Sequence, residues 1–117
     1  MSARRQSASG SKSVRLAPTL RELRARRAEL IGIAARHGAT NLRVFGSVAR
    51  GDAGPNSDID LLVDLEPSRS LFDLGGLIED LHTALGRKVD VVELAPSPTS
   101  PTFQRMAEQI LQEAVPL

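Results

Sequence analysis

The stretch GSVARGDAGPNSDIDLLVD, Gly46 to Asp64, decides the fold of this chain of 117 residues. Residues 58–65 are predicted to form a β-strand, because apolar residues recur there at every second position. The apolar face of that strand comprises Ile59, Leu61, Val63 and Leu65. Two aspartates, Asp58 and Asp60, lie on the opposite face, where a buried strand rarely carries charge. The stretch therefore predicts a strand with a chemical role on one face.

The elements around this strand predict a small α+β domain. One helix is expected from an N-cap at Thr19 to a stop at Gly38, and another from a cap near Ser70 to Gly86. The other predicted elements are strands over 41–45 and 88–94, a loop or a loop opening a short helical turn over 46–57, a linker over 95–101 and a helix over 102–115. The order α, β, β, α, β, α favours a two-layer fold: a mixed sheet of about three strands, with helices on its more apolar face.

The last predicted helix is amphipathic. Its apolar face comprises Phe103, Met106, Ile110 and Leu111. We expect this face to pack in the core, since a helix of a small domain usually buries its apolar stripe.

Three carboxylates are expected to meet on the polar face of the sheet. Asp58 and Asp60 project from the same side of one strand, with Cα atoms about 6 to 7 Å apart. Asp90 has matching parity on the strand 88–94, so a neighbouring register would bring it to the same place. Oxygen ligands in a chain without cysteine favour Mg²⁺ or Mn²⁺, and three carboxylates could hold two ions. Mg²⁺ held in this way completes its shell with substrate phosphates, which indicates a nucleoside triphosphate.

The loop before the aspartates has features of a phosphate-binding segment. Gly46 allows close approach of the backbone, Ser47 offers a hydroxyl and an N–H, and Arg50 can pair with a phosphate. Each feature also has a purely structural interpretation, because a Gly-Ser pair is often a turn and an exposed arginine is often solvated or salt-bridged.

The aspartates have structural alternatives as well. Asp58 could cap the entry to its strand or bond to Ser57, and Lys88 could form a salt bridge with Asp90. Asp64 is expected to be solvated near the end of its strand. The sequence leaves these alternatives open.

Composition bounds the class of protein. No cysteine is present and the longest apolar runs are far shorter than a membrane span of about 20 residues, so a cytoplasmic protein is expected. Residues 1–17 contain four of the 15 Lys and Arg residues and no acid, and we interpret them as a disordered basic leader before a domain over 18–117. The domain then has 11 basic and 14 acidic residues, which makes direct binding of nucleic acid an unfavoured hypothesis.

The residues GSVARGDAGPNSDIDLLV, followed by KVDVV, resemble the signature of the nucleotidyltransferase superfamily that includes DNA polymerase beta. The similarity is closest to the minimal nucleotidyltransferases. It implies a polymerase-beta-like core in which Asp58 and Asp60 bind metal and Asp90 is a third ligand or the base. It also implies that Gly46 and Ser47 contact the triphosphate.

Two further residues match the signature. Arg50 matches the arginine of the pattern G-S-x-A-R-G, and Ser57 matches the serine that precedes the first aspartate in S-D-x-D-L. The resemblance therefore implies that both residues lie at the nucleotide.

The resemblance also implies a partner. Minimal nucleotidyltransferases often act with a helical HEPN-type toxin and neutralise it, in some cases by transferring AMP from ATP to a hydroxyl on the toxin. The resemblance therefore implies an antitoxin in a hetero-oligomer. The alternatives are a binding module that retains the site but silences its partner by occlusion, and a transferase that modifies an antibiotic.

Overall fold

A mixed four-stranded sheet organises the computed structural model, which describes residues 16–93 and 101–117. The strands are β1 (Ala39–Phe45), β2 (Ile59–Leu65), β3 (Val89–Glu93) and β4 (Val115–Pro116), in the order β3-β2-β1-β4. β1 pairs antiparallel with both β2 and β4, whereas β2 and β3 are parallel. The predicted α+β class and mixed sheet are confirmed.

The fourth strand corrects the expected count of three. β4 pairs at Arg43↔Pro116 and Val44↔Val115, and the N–H of Leu117 donates to the carbonyl of Leu42 at 3.0 Å. Only an edge strand tolerates Pro116, which has no N–H to donate. Two residues that include a proline give no alternating pattern, so sequence alone did not predict this strand.

The first predicted helix is divided into α1 (Leu20–Ala25) and α2 (Arg27–Arg36). A capping box between Thr19 and Glu22 begins α1, as the N-cap prediction requires. Arg26 interrupts the helix with φ −105° and ψ 18°. Its guanidinium donates to the carbonyl of Ala84 at 2.8 Å and to Glu29, and this tertiary contact accompanies the break.

Two further helices follow the sequence closely. α3 (Gly46–Arg50) is the short helical turn anticipated after β1, and it ends at Gly51 with φ 82°. α4 (Leu71–Leu85) begins with a capping box between Ser70 and Asp73 and ends at Gly86 in the left-handed conformation.

The hydrophobic core lies between the helices and one face of the sheet. Ile59, Leu61 and Val63 of β2 are at most 2% exposed, as are Leu30 of α2 and Leu77 of α4. The alternation predicted for β2 is confirmed at these three residues and at Asp60 and Asp64, but Leu62 on the predicted polar face is fully buried and Leu65 on the apolar face is only half-buried. The face opposite the core carries Asp60 and Asp90.

The last helix, α5 (Pro101–Glu113), departs from expectation. Met106 is 53% and Leu111 49% exposed, while Ile110 is half-buried, so the prediction of a core face is wrong for the first two. The side chain of Phe103 lies outside the described part of the chain, as do residues 95–100 of the predicted linker and residues 1–15 of the predicted leader. Pro101, the last residue of that predicted linker, begins α5. None of the helices described is both long and apolar enough to cross a membrane.

Candidate active site

Asp60 and Asp90 are neighbours in the sheet. The parallel register of β2 and β3 pairs them directly, and adjacent strands lie about 4.8 Å apart. Their chain neighbours Ile59, Val89 and Val91 are buried on the helix side, so both carboxylates lie on the other face. Asp90 is exposed, and no hydrogen bond or ion pair joins it to another described side chain. The parity argument from sequence is thus confirmed for this pair.

Gly46 packs against the carboxylate of Asp60. It has φ 73°, a conformation that disfavours any side chain, and a Cβ added there would collide with Oδ2 of Asp60. Phe45, the residue before it, pairs with Asp60 in the register of β1 and β2. Glycine therefore allows α3 to begin directly beside this carboxylate, with Ser47 as its second residue.

The electrostatics of Asp60 reflect a cluster of like charges. Burial raises the pKa of Asp60 above its usual value, and the nearby carboxylates of Asp90 and Asp58 raise it further. The cations Arg50 and Lys88 act on this pKa in the opposite direction. Net repulsion at such a cluster is what a bound divalent cation would relieve.

Asp58 lies one residue before β2. The ammonium Nζ of Lys88 lies 3.7 Å from its Oδ2. Lys88 therefore pairs with Asp58 and not with Asp90, contrary to the alternative considered from sequence. Both side chains are partly exposed, so the pair contributes less than about 1 kcal/mol to stability. A stronger ligand for Asp58 could displace Lys88 at little cost.

Arg50 is engaged by two carboxylates. Its Nε donates to Asp52 at 3.2 Å and its Nη1 to Glu113 at 3.2 Å, and its side chain is 49% exposed. The hydrogen bond to Asp52 is the main cause that raises the pKa of Arg50. The salt-bridged interpretation of this arginine is thus correct in this structure, and Glu113 of α5 was not predicted as its partner.

Ser57 orders the loop before the aspartates. Its hydroxyl accepts a hydrogen bond from the N–H of Gly54 at 2.8 Å, so it does not bond to Asp58 as one alternative supposed. Its carbonyl accepts from Nη1 of Arg87 at 3.1 Å. Sequence reasoning missed Arg87, which also donates to the carbonyls of Pro55 at 2.9 Å and Leu16 at 2.6 Å. No motif in the sequence signals a contact between backbone carbonyls and an arginine 30 or more residues away.

Asp64 is 58% exposed at the far end of β2, as expected. It accepts hydrogen bonds from Arg43 at 2.9 Å and Asn41 at 3.0 Å. It therefore belongs to a separate surface ion pair.

The chemistry of the donor set fits a hard divalent cation, because Asp58, Asp60 and Asp90 offer only oxygen. Asp60 and Asp90 are already adjacent. Over residues 16–93 and 101–117, however, no three His, Asp or Glu side chains are arranged to hold one metal ion. The three-carboxylate metal site remains a prediction.

Residues 22–116 match a protein family described as nucleotidyltransferase domain. MJ0435 of Methanocaldococcus jannaschii, a candidate protein adenylyltransferase by name, is 37% identical over 87 residues, which cover 74% of this chain and 88% of that protein. The protein adenylyltransferase MntA of Thermococcus cleftensis is 46% identical over 57 residues, or 49% of this chain and 58% of MntA.

Solved structures agree with the sequence matches. The structure of a candidate minimal nucleotidyltransferase superposes with a TM-score of 0.69 at 48% identity, covering 86% of this chain and 97% of the other. A toxin–antitoxin structure with AMP-PNP superposes with a TM-score of 0.62 at 22% identity, covering 76% and 69%, which shows a shared fold. The resemblance inferred from residues 46–64 and the predicted fold are confirmed.

Proposed function

The chain belongs to the nucleotidyltransferase domain family, and from this premise we propose that it transfers AMP from ATP to a hydroxyl group of a partner protein. One observation carries the proposal: Asp60 lies beside Asp90 on the face of the sheet opposite the core, with Gly46 packed against its carboxylate. A phosphate chain laid along the start of α3 would meet both carboxylates at this point.

The proposed reaction is an in-line displacement. The acceptor hydroxyl oxygen forms a bond to the α-phosphorus of ATP, the bond from that phosphorus to the bridging oxygen breaks, and pyrophosphate leaves. Asp90, which is exposed and has no described partner, takes the hydroxyl proton if it is not itself a metal ligand. Mg²⁺ held by Asp58 and Asp60 would neutralise the phosphates and favour the loss of pyrophosphate.

The remaining candidates act on the nucleotide. Gly46 and Ser47 lie beside the triphosphate, Arg50 contacts a phosphate, and Ser57 holds the loop that leads to Asp58. The support for Ser57 is its bond to Gly54.

The proposed acceptor is a protein, because MJ0435 and MntA are both named as protein adenylyltransferases. We further propose an antitoxin role in the cytoplasm, with a HEPN-type helical toxin as partner in a hetero-oligomer. The support is the resemblance of residues 46–64 to minimal nucleotidyltransferases that pair with such toxins.

A second candidate is an antitoxin that acts by occlusion alone. The observation in its favour is that Lys88 pairs with Asp58 at 3.7 Å, a weak contact that a cation bound at Asp58 would have to displace. The two candidates differ in whether the partner is modified.

Transfer of label from ATP labelled at the α-phosphate, into proteins of a lysate from the native cell with Mg²⁺, tests the proposal. The variant Asp58→Asn/Asp60→Asn removes both charges with little change of shape. Asp64→Asn is the matched control, because Asp64 lies on the same strand and face but pairs with Arg43. A labelled protein that persists with the control and disappears with the double variant supports transfer. A partner that binds all three proteins without label supports occlusion.

A further inference from the structure

Arg50 is held from two directions by residues that no sequence motif assigns. Asp52 lies two residues further along the chain, whereas Glu113 ends α5, 63 residues away. Both hydrogen bonds are 3.2 Å long, and the Glu113 side chain is 28% exposed compared with 62% for Asp52. Glu113 is therefore the more sheltered of the two anchors, and it joins α5 to the end of α3.

The bonds leave one nitrogen of the guanidinium available. Nε and Nη1 donate to the two carboxylates, and no described residue accepts a hydrogen bond from Nη2. The charge of Arg50 also lowers the pKa of Asp60, so the guanidinium lies within electrostatic range of the carboxylate cluster. α3 thus presents Gly46 at one end and an oriented arginine at the other.

We propose that Glu113 is a positioning residue, which orients Arg50 so that Nη2 binds a phosphate of the nucleotide. This inference rests on the proposed function. An unrestrained arginine side chain loses rotamer entropy when it binds a phosphate. Anchoring by Glu113 removes part of that loss before the nucleotide arrives.

Glu113 could instead hold Arg50 away from the nucleotide, and this opposite effect, sequestration, predicts a different response of nucleotide binding to substitution of Glu113. Sequestration depends on the negative charge of Glu113, whereas orientation depends on a hydrogen-bond acceptor at that place. Glu113→Gln keeps the acceptor and removes the charge, and Glu113→Ala removes both. The two substitutions therefore separate the two effects.

The test is the Kd of a non-hydrolysable ATP analogue with Mg²⁺, measured by calorimetry on the full chain. We expect Glu113→Ala to weaken binding about three- to tenfold, and Glu113→Gln to stay close to wild type. Glu108→Ala, at an exposed position of the same helix, is the matched control and should bind as wild type does. Thermal melting of each variant verifies that the fold is retained.

A double variant tests whether Glu113 acts through Arg50. Arg50→Ala should weaken binding at least as much as Glu113→Ala, and Arg50→Ala/Glu113→Ala should weaken it no further. Tighter binding by both Glu113 variants, or unchanged binding by Glu113→Ala, overturns the inference while leaving the proposed function intact. Failure of the wild-type protein to bind the analogue overturns both.

Discussion

Gly46 and Asp60 lie so close that the glycine position has no room for even a methyl group beside the carboxylate. The contact joins the first residue of α3 to the central strand β2. Because Gly46 also has φ 73°, both its backbone and its surroundings require glycine. Because both constraints exclude a side chain at Gly46, we predict that a ligand of Asp60 can approach the backbone at this position.

Gly46→Ala should therefore damage the site more than an ordinary glycine substitution. The left-handed backbone alone costs about 1 to 2 kcal/mol for an L-residue, and the collision displaces Asp60 in addition. Gly51→Ala is the control, since Gly51 has φ 82° but nothing within 4 Å of an added Cβ. Urea unfolding and label transfer measure the two effects. Equal loss of stability and activity in both variants would show that the contact with Asp60 is unimportant.

The raised pKa of Asp60 predicts a pH dependence of stability. A carboxyl group whose pKa is higher in the folded than in the unfolded protein stabilises the fold at low pH. That contribution is lost as pH rises from the ordinary value of 3.8 through the raised pKa. Asp60→Asn should therefore unfold at higher urea concentration than wild type at pH 7 without divalent cations, and the difference should vanish at pH 3. A variant less stable than wild type at pH 7 would contradict the repulsion described for this cluster.

Divalent cations should make wild type more stable than the variants that lack the aspartates. Mg²⁺ or Mn²⁺ that binds only the folded protein raises the free energy of unfolding by about 1.4 kcal/mol for each tenfold excess of cation concentration over Kd. The melting temperature rises with it. Wild type and Asp64→Asn should both gain, whereas Asp58→Asn/Asp60→Asn should not. The same gain in all three proteins would mean that the cation binds elsewhere.

Arg87 should matter for the loop before Asp58. It donates to the carbonyls of Pro55, Ser57 and Leu16, and hydrogen bonds from a charged group contribute about 1.5 to 3 kcal/mol each at most. Arg87→Met keeps much of the side-chain volume, and it should lower the melting temperature and speed amide exchange in residues 54–58. Arg105→Met, at an exposed position of α5, is the control. Unchanged exchange in residues 54–58 would refute this role for Arg87.

Local pattern was sufficient to predict the elements that bear the site. Alternation placed Asp60 and Asp90 on one face, and their strands prove to be paired in register. The sequence also predicted the helix caps at Thr19 and Ser70 and the helix end at Gly86, because each depends on only a few neighbouring residues.

The features that were missed depend on distant contacts. The break at Arg26 accompanies a bond to the carbonyl of Ala84, and β4 exists only because its two residues pair with β1. The exposure of Met106 and Leu111 could not be predicted either, since amphipathic periodicity does not show whether a partner element covers the apolar face. Glu113 and Arg87 were missed because their partners, Arg50 and Ser57, lie 63 and 30 residues away in the sequence.

The mass of the partner protein tests the central claim most directly. The chain would be co-expressed with the protein that co-purifies with it, and the intact mass of that protein compared with its mass after co-expression with Asp58→Asn/Asp60→Asn. Our account predicts a gain of one or more AMP groups on a Tyr or Ser side chain with wild type, and none with the double variant. A partner bound by both proteins and unmodified by either would contradict adenylyl transfer.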